Sequence, residues 1–275
     1  MRDTSLDLTT EELAVLGELT GAGTPAGFDE TLLTEMPDVV RTYRLEAAEK
    51  TLRERRIIVD GAGGGAEVDD AVATVLRGAA SPGLLVVAMV EAGGIVETRF
   101  YTVDPDLGIE QQPIAPGLYR FIPFPAEEVL RRALRFADLR PHEQPTVAAF
   151  EVSASTLEAA GELIADGEDD AADGLLAAAG ADADAAAAFV AAVGGSPRTV
   201  SVTVFYRPEP DTVAGGSLTW IDAGLDGLWC TEPVEDDAPV EDPTVELRPD
   251  TGTAVARELL SYLPSAYSDP PGAVS

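Results

Sequence analysis

The chain runs through one order of elements twice. "ELAVLGELTGAG" near the start aligns with "TLEAAGELIADG" in the middle, Leu13 with Leu157 and Gly17 with Gly161, at an offset of 144. Further on, "SPGLLVVAMV" aligns with "SPRTVSVTVF", Ser81 with Ser196, at an offset of 115. "FYTVDPDLGI" likewise matches "LTWIDAGLDGLW". Chance matches are common in segments rich in Ala and Leu, but several in the same order point to an internal duplication. A helix-rich unit with three strands and a closing helix has too few strands to shield its own sheet. Two such units joined edge to edge form one sheet that helices can cover. The expected fold is therefore α+β, built from a quasi-two-fold duplicated unit around one largely antiparallel sheet. It is expected as one domain over residues 1–275, with pseudo-repeats 1–140 and 141–264 and a flexible tail at 265–275.

Local patterns fill in this plan. In "LTTEELAVLGELTGAG", Thr9 or Thr10 caps a helix whose first turn carries glutamates. Leu13, Leu16 and Leu19 make its apolar face, and Gly21 ends it. "MPDVVRTYRLEAAEKTLRERR" reads as a long helix with apolar positions Val39, Val40, Tyr43, Leu45, Ala47, Ala48 and Leu52. "IIVD" is a short strand, and "EVDDAVATVLRGA" is a third helix. "GLLVVAMV" is almost continuously apolar, so it is expected as a central strand covered on both faces. "IVETRFYTVD" pairs with it across Ala92–Gly94. "GLYRFIPF" is a third strand, and "PAEEVLRRALRF" closes the half as a helix. The second half gives a helix at "SASTLEAAGELIADG" and alanine-rich helix at 169–193. Strands follow at "RTVSVTVFY", "SLTWID", "GLWC" and "PTVELRP", then a helix at "GTAVARELLSYL".

Charge and composition exclude several functions. The 49 acidic and 18 basic residues leave a net charge of −31, which repels phosphates and argues against nucleic acid or an anionic membrane as a partner. Arginine outnumbers the single lysine, Lys50, and Ala, Gly, Val and Asp are abundant, as in a high-GC, actinobacterial or haloarchaeal, genome. The second half is the more acidic, at 25 acids to 4 bases from residue 141 onward. One cysteine and one histidine give no disulfide and no histidine-based metal cluster. The start "MRDTSLDLTTEEL" lacks the basic and apolar regions of a signal peptide, and no apolar run is long enough to span a bilayer. The expected location is the cytoplasm.

Each candidate site has a plain structural alternative. Gly61, Gly63 and Ala66 follow "IIVD" in the spacing of a dinucleotide-binding turn, which would place a pyrophosphate on a helix N-terminus. Hairpins rather than βα units follow it, so a flexible turn is the simpler account, with a nucleotide-dependent enzyme kept as the alternative. Asp69/Asp70, Asp169/Asp170 and Asp236/Asp237 are carboxylate pairs with no EF-hand spacing, and surface solvation explains them. His142, in "LRPHEQP", has no nucleophile signature to serve. Cys230 reads as a half-buried structural cysteine. Arg53, Arg55 and Arg56 could face DNA from a winged helix, but the basic stretch is brief. Trp220 and Trp229 read as strand residues, at least one of them buried. The aspartates of "WIDAGLDG", like Asp104 and Asp106 with Gly108, read as turn formers.

Four stretches carry a family resemblance: "LTTEELAVLGELTGAGTPAGF", "LEAAEKTLRERRIIVD", "GSLTWIDAGLDGLWC" and "VELRPDTGTAVARELLSYLP". Together they resemble the EspG family, the cytosolic substrate-specific chaperones of type VII (ESX) secretion. The resemblance implies a central antiparallel sheet flanked by two helical bundles and a non-catalytic role without cofactor or metal. It also implies a partner that is a helical secreted protein or heterodimer of the PE/PPE kind. No binding residue carries over from it. An unrelated protein-interaction module with the same fold is the other alternative.

Overall fold

A computed structural model describes residues 5–61, 64–105, 107–141, 146–195, 197–209, 212–224, 227–234 and 241–268. The chain opens with β1 (Leu6–Thr9), α1 (Thr10–Thr20), α2 (Thr31–Thr34) and α3 (Asp38–Glu54). A hairpin of β2 (Ile58–Asp60) and β3 (Ala66–Val68) leads to α4 (Asp70–Ala80). Then come β4 (Leu84–Ala92), β5 (Ile95–Asp104), β6 (Leu107–Ala115), β7 (Leu118–Pro125) and α5 (Val129–Phe136). The second half starts again with a strand, β8 (Phe150–Ser153), followed by α6 (Ala154–Ala165), α7 (Asp169–Ala178) and α8 (Ala183–Gly194). It continues with β9 (Arg198–Glu209), β10 (Thr212–Asp222), β11 (Leu228–Pro233), β12 (Thr244–Asp250), α9 (Gly252–Tyr262) and α10 (Ser265–Ser268).

Ten strands form one sheet in the order β1-β7-β6-β5-β4-β9-β10-β11-β12-β8, antiparallel at every pairing. Read inward from either end, the order is a first strand, then the fourth, third, second and first of a meander. The fold is α+β with a quasi-two-fold centre between β4 and β9. The caps repeat as well. Thr9 accepts from the Glu12 N–H while the Glu12 carboxylate accepts from the Thr9 N–H, a complete capping box. Ser153, 144 residues on, accepts from the Thr156 N–H at the start of α6.

The sheet alignment, unlike the helix alignment, is one residue out. Leu84, Val86 and Ala88 share a core with Val200, Val202 and Val204. An offset of 115 would equate Val86 with Ser201, on the other face. The match of "FYTVDPDLGI" to "LTWIDAGLDGLW", at an offset of 118, fails in the same way, setting buried Tyr101 against Thr219. Successive side chains alternate across a strand, so a single-residue slip inverts every assignment.

Three cores hold the layers. In the central core, α5 and α9 pack on one face of the sheet, against Val86, Tyr101, Val202, Leu218 and Trp220. On the other face, α1, α3 and α4 bury Leu16, Leu52 and Leu76 with Ile109 and Phe121. At the far end of that face, α6, α7 and α8 bury Ile164, Leu176 and Phe189 with Trp229 and Leu247. Both flanking bundles therefore sit on the same face.

The long helix departs from its expected packing. Only Ala48 and Leu52 of α3 are buried. Val39, Val40 and Tyr43 are exposed, because α1 reaches only the C-terminal half of α3 with apolar side chains. Leu19 is exposed too, whereas Leu13 and Leu16 are buried as expected.

Candidate binding face

The two bundles leave the middle of their face open. The strand β4 was expected to be covered on both faces and is covered on one. Leu84, Val86 and Ala88 lie in the central core, but Leu85 and Val87 are half-buried and Met89 is 39% exposed. The cause is non-local: α5 and α9, the helices lying against β4, β9 and β10, occupy the opposite face.

Register defines this open floor. Leu85 faces Thr102 on β5 and Phe205 on β9. Val87 stands between Phe100 and Thr203, and Met89 between Thr98 and Ser201. On β10, Ser217 and Thr219 continue the rows beyond Thr203 and Ser201. The β4–β5 side is apolar, with Leu85, Val87, Met89 and Phe100. The β9–β10 side is a hydroxyl ladder: Thr203 and Ser217 are hydrogen-bonded at 2.9 Å, and Thr219 donates to Ser201 at 3.3 Å. None of these residues is charged, on a chain whose net charge is −31, and charge returns only where Glu91 and Arg207 end the β4 and β9 rows. Across four strands the floor is about 14 Å wide, at about 4.8 Å per strand spacing. One α-helix, about 10 Å across, fits.

Hairpins mark both ends of the floor. Because β4 and β9 are antiparallel, the β4–β5 tip and the β9–β10 tip lie at opposite ends. The first exposes Ile95 (67%) and Val96 (54%), and the second Val213 (65%). Beside Phe205, itself 44% exposed, a groove of about 350 Å³ opens against the helical bundle of the first half, its lining including Thr24, Ala80, Leu85, Phe205, Arg207 and Val213.

The sequence candidates lie elsewhere. Gly61 closes the β2–β3 hairpin, donating its N–H to Gly65 at 2.8 Å and accepting from Gly64 at 3.0 Å. Ala66 begins β3, and Gly63 lies outside the described residues. The turn thus opens a strand, not a helix, and α4 begins only at Asp70. Its first free N–H groups, of Ala71 and Val72, are taken by the Asp69 carboxylate. Asp169 and Asp170 occupy the first turn of α7, where carboxylates complement the helix dipole. Asp236, Asp237, His142, Asp106 and the second aspartate of "WIDAGLDG" lie outside the described residues. Among the described residues, no group of three or more His, Cys, Asp and Glu side chains is placed to hold a metal.

Arg53 is paired with Glu49 and Asp60, and Arg55 with Glu12, so neither offers a free cation. Asp222 is the expected turn former, accepting from the Gly224 N–H at 2.9 Å while also accepting from Arg198 at 2.7 Å. Cys230 is fully buried rather than half-buried, with Sγ 3.7 Å from Asp250 Oδ2. Burial and then the Asp250 charge push its thiol up to about 12, so it is inert as a nucleophile near neutrality. Nearby, Arg248 binds Glu258 at 2.9 Å and approaches Asp250 at 3.4 Å and Glu232 at 3.7 Å. The open floor was missed in the sequence, although "VSVTVF" alternates as a strand with one uncovered face should.

No family model matches the chain, and no curated protein matches it in sequence. Among solved structures, it is similar to the Mycobacterium tuberculosis type VII secretion system chaperone EspG5, solved in complex with a PE25–PPE41 dimer. The superposition covers 95% of this chain and 98% of that one, with a TM-score of 0.61 and 16% identity. The chain has the EspG5 fold. The resemblance read from the sequence thus holds at the level of architecture, with the sheet and both flanking bundles. No described helix is long and apolar enough to cross a membrane.

Proposed function

We propose that the chain is a cytosolic, non-catalytic chaperone for a helical secretion substrate of the PE/PPE kind, held on the open floor between the two bundles. One observation carries the reading: an uncharged, half-apolar strip four strands wide lies open on a molecule of net charge −31. Solvent-facing sheet on such a chain has no reason to avoid charge unless something dry covers it. The floor width matches one helix, and apolar hairpin tips stand at both ends to grip its flanks. The acidic remainder would keep a loaded complex soluble. The EspG5 fold adds support, because that protein was solved with a PE25–PPE41 dimer.

Co-expression with PE/PPE-like pairs from the same genome tests this. The expected result is a stable complex with the wild-type chain and its loss when Val87 and Phe205 are both changed to Glu. Failure of every such pair to co-purify, or a complex indifferent to the double variant, would overturn the reading.

A further inference from the structure

Two charges of opposite sign close the ends of the open floor, on its two central strands. The floor side of β4 runs through Leu85, Val87 and Met89 to Glu91, and that of β9 through Ser201, Thr203 and Phe205 to Arg207. Glu91 pairs with Thr199, whereas the Arg207 N–H donates to the Gly83 carbonyl at 3.3 Å, at the other end of β4. At about 3.3 Å per residue, the two charges stand about 26 Å apart along the strands. That is the length of a helix of about 17 residues. Because β4 and β9 are neighbours, both charges lie under the midline of the strip. Both residues are exposed, and neither has an ion-pair partner among the described residues. Asp104 ends β5 on the far side of Gly83, but the groove at that end is lined by Arg207 and by no acid among the described residues.

We propose that the floor reads the direction of the helix it holds, with the helix N-terminus over Glu91 and its C-terminus over Arg207. This rests on the floor being a helix site and adds a polarity to it. A helix carries about half a positive charge at its N-terminus and half a negative charge at its C-terminus, concentrated in the end turns. Laid this way, each end meets the opposite charge. Reversed, each end meets its own sign. No charge on the floor between them competes, and a covering helix excludes water, which strengthens both contacts. The apolar β4–β5 side and the hydroxyl ladder set how the helix is rotated, but a single apolar stripe can meet that floor in either direction. Direction is left to the two charges. The occupant is an amphipathic segment of about 17 residues, without acids in its first turn or bases in its last.

A stapled helical peptide of that length, with one leucine stripe, alanine and serine elsewhere and neutral capped ends, tests this on the full chain. A photo-crosslinker sits at its N-terminus in one version and at its C-terminus in another, and mass spectrometry locates the adducts. The N-terminal version should label the β4–β5 tip near Val96, and the C-terminal version Phe205 and Val213, each at least about threefold over the other end. Glu91→Lys combined with Arg207→Glu should invert the pattern and leave the Kd within about threefold, since both residues are exposed and the swap conserves net charge. Equal labelling of both ends, or a pattern that the swap does not move, overturns the directional reading and leaves the helix site standing. A peptide that does not bind, or that binds equally well when Val87 and Phe205 are both changed to Glu, overturns the helix site and this inference together.

Discussion

Trp220 and Trp229 stand one register step apart on adjacent strands and point to opposite faces of the sheet. Trp220 pairs with Cys230 and lies in the central core under α9, whereas Trp229 pairs with Ile221 and lies under α6–α8. Both are fully buried. One short hairpin therefore supplies the largest side chain to two of the three cores. Trp229 meets Phe189 edge-on at 5.4 Å and Phe150 at 6.1 Å.

Trp229→Ala is expected to cost about 3–5 kcal/mol of stability, the range for emptying a packed aromatic site. Urea unfolding followed by circular dichroism reads this directly. Trp229→Phe should cost clearly less, because the buried indole N–H has no hydrogen-bond partner among the described residues and is removed with the volume. An alanine variant within about 1 kcal/mol of wild type would contradict the packing described.

Phe205→Glu should leave stability within about 1 kcal/mol, because the ring is 44% exposed on the floor. Partner capture should fall at least tenfold, since a charge would be desolvated at the centre of the contact. Val202→Glu, one strand face away in the central core, should abolish folding instead. Thermal melts of the two variants side by side separate the faces.

Gly215→Ala tests the β9–β10 hairpin. Gly215 has φ +142, and a Cβ there would collide with the Val204 carbonyl across the strand pair. Neither backbone can yield without breaking the ladder, so a loss of about 1–3 kcal/mol or more is expected. A melting temperature equal to wild type would show that the hairpin does not hold this geometry.

Alkaline stability should fall between pH 9 and 12. The folded chain holds the Cys230 thiol protonated up to about 12, against an ordinary value of 9.0 when unfolded. Tyr262, half-buried and donating to Glu258, is raised to about 12 from 10.0. Raised folded values stabilise fully below the unfolded value, and that stabilisation is lost as pH rises through the folded one. Cys230→Ala should flatten this decline in unfolding titrations from pH 8 upward. The native thiol should also resist a disulfide reagent at pH 8 and react at once in denaturant.

Acid behaves oppositely at Asp7. Arg120 donates two hydrogen bonds to its carboxylate, each 2.8 Å, and holds it below the ordinary 3.8. A depressed value stabilises above pH 3.8 and is lost as pH falls further. Asp7→Asn should therefore shrink the acid dependence of stability and loosen the β1–β7 edge, visible as faster amide exchange at Leu8. Because the pair is partly exposed, the effect should diminish with added salt.

What the residues determine alone is local. Thr9, Ser153 and Thr251 cap helices because a side-chain oxygen reaches N–H groups two or three residues ahead. The alternation of Val200, Val202 and Val204 with Ser201 and Thr203 specifies a strand with two unlike faces. These patterns need no distant partner, so they are legible in sequence. The strands β1 and β8 were not, since four residues form a strand only when β7 or β12 supplies the ladder. The strand β6 was missed for the same reason: its pattern is broken by Gln111, Gln112 and Pro113, and its neighbours hold it in place. Apolar content also could not say what covers it. Leu85 and Val87 on β4, like Val39 and Tyr43 on α3, read as core. Tertiary structure decided otherwise by placing α5 and α9 on the far face and α1 beside the other half of α3. Coverage depends on where non-local elements land, and no period within one segment records that. The open floor and the exposed start of α3 are places where the local pattern promised burial and the fold withheld it.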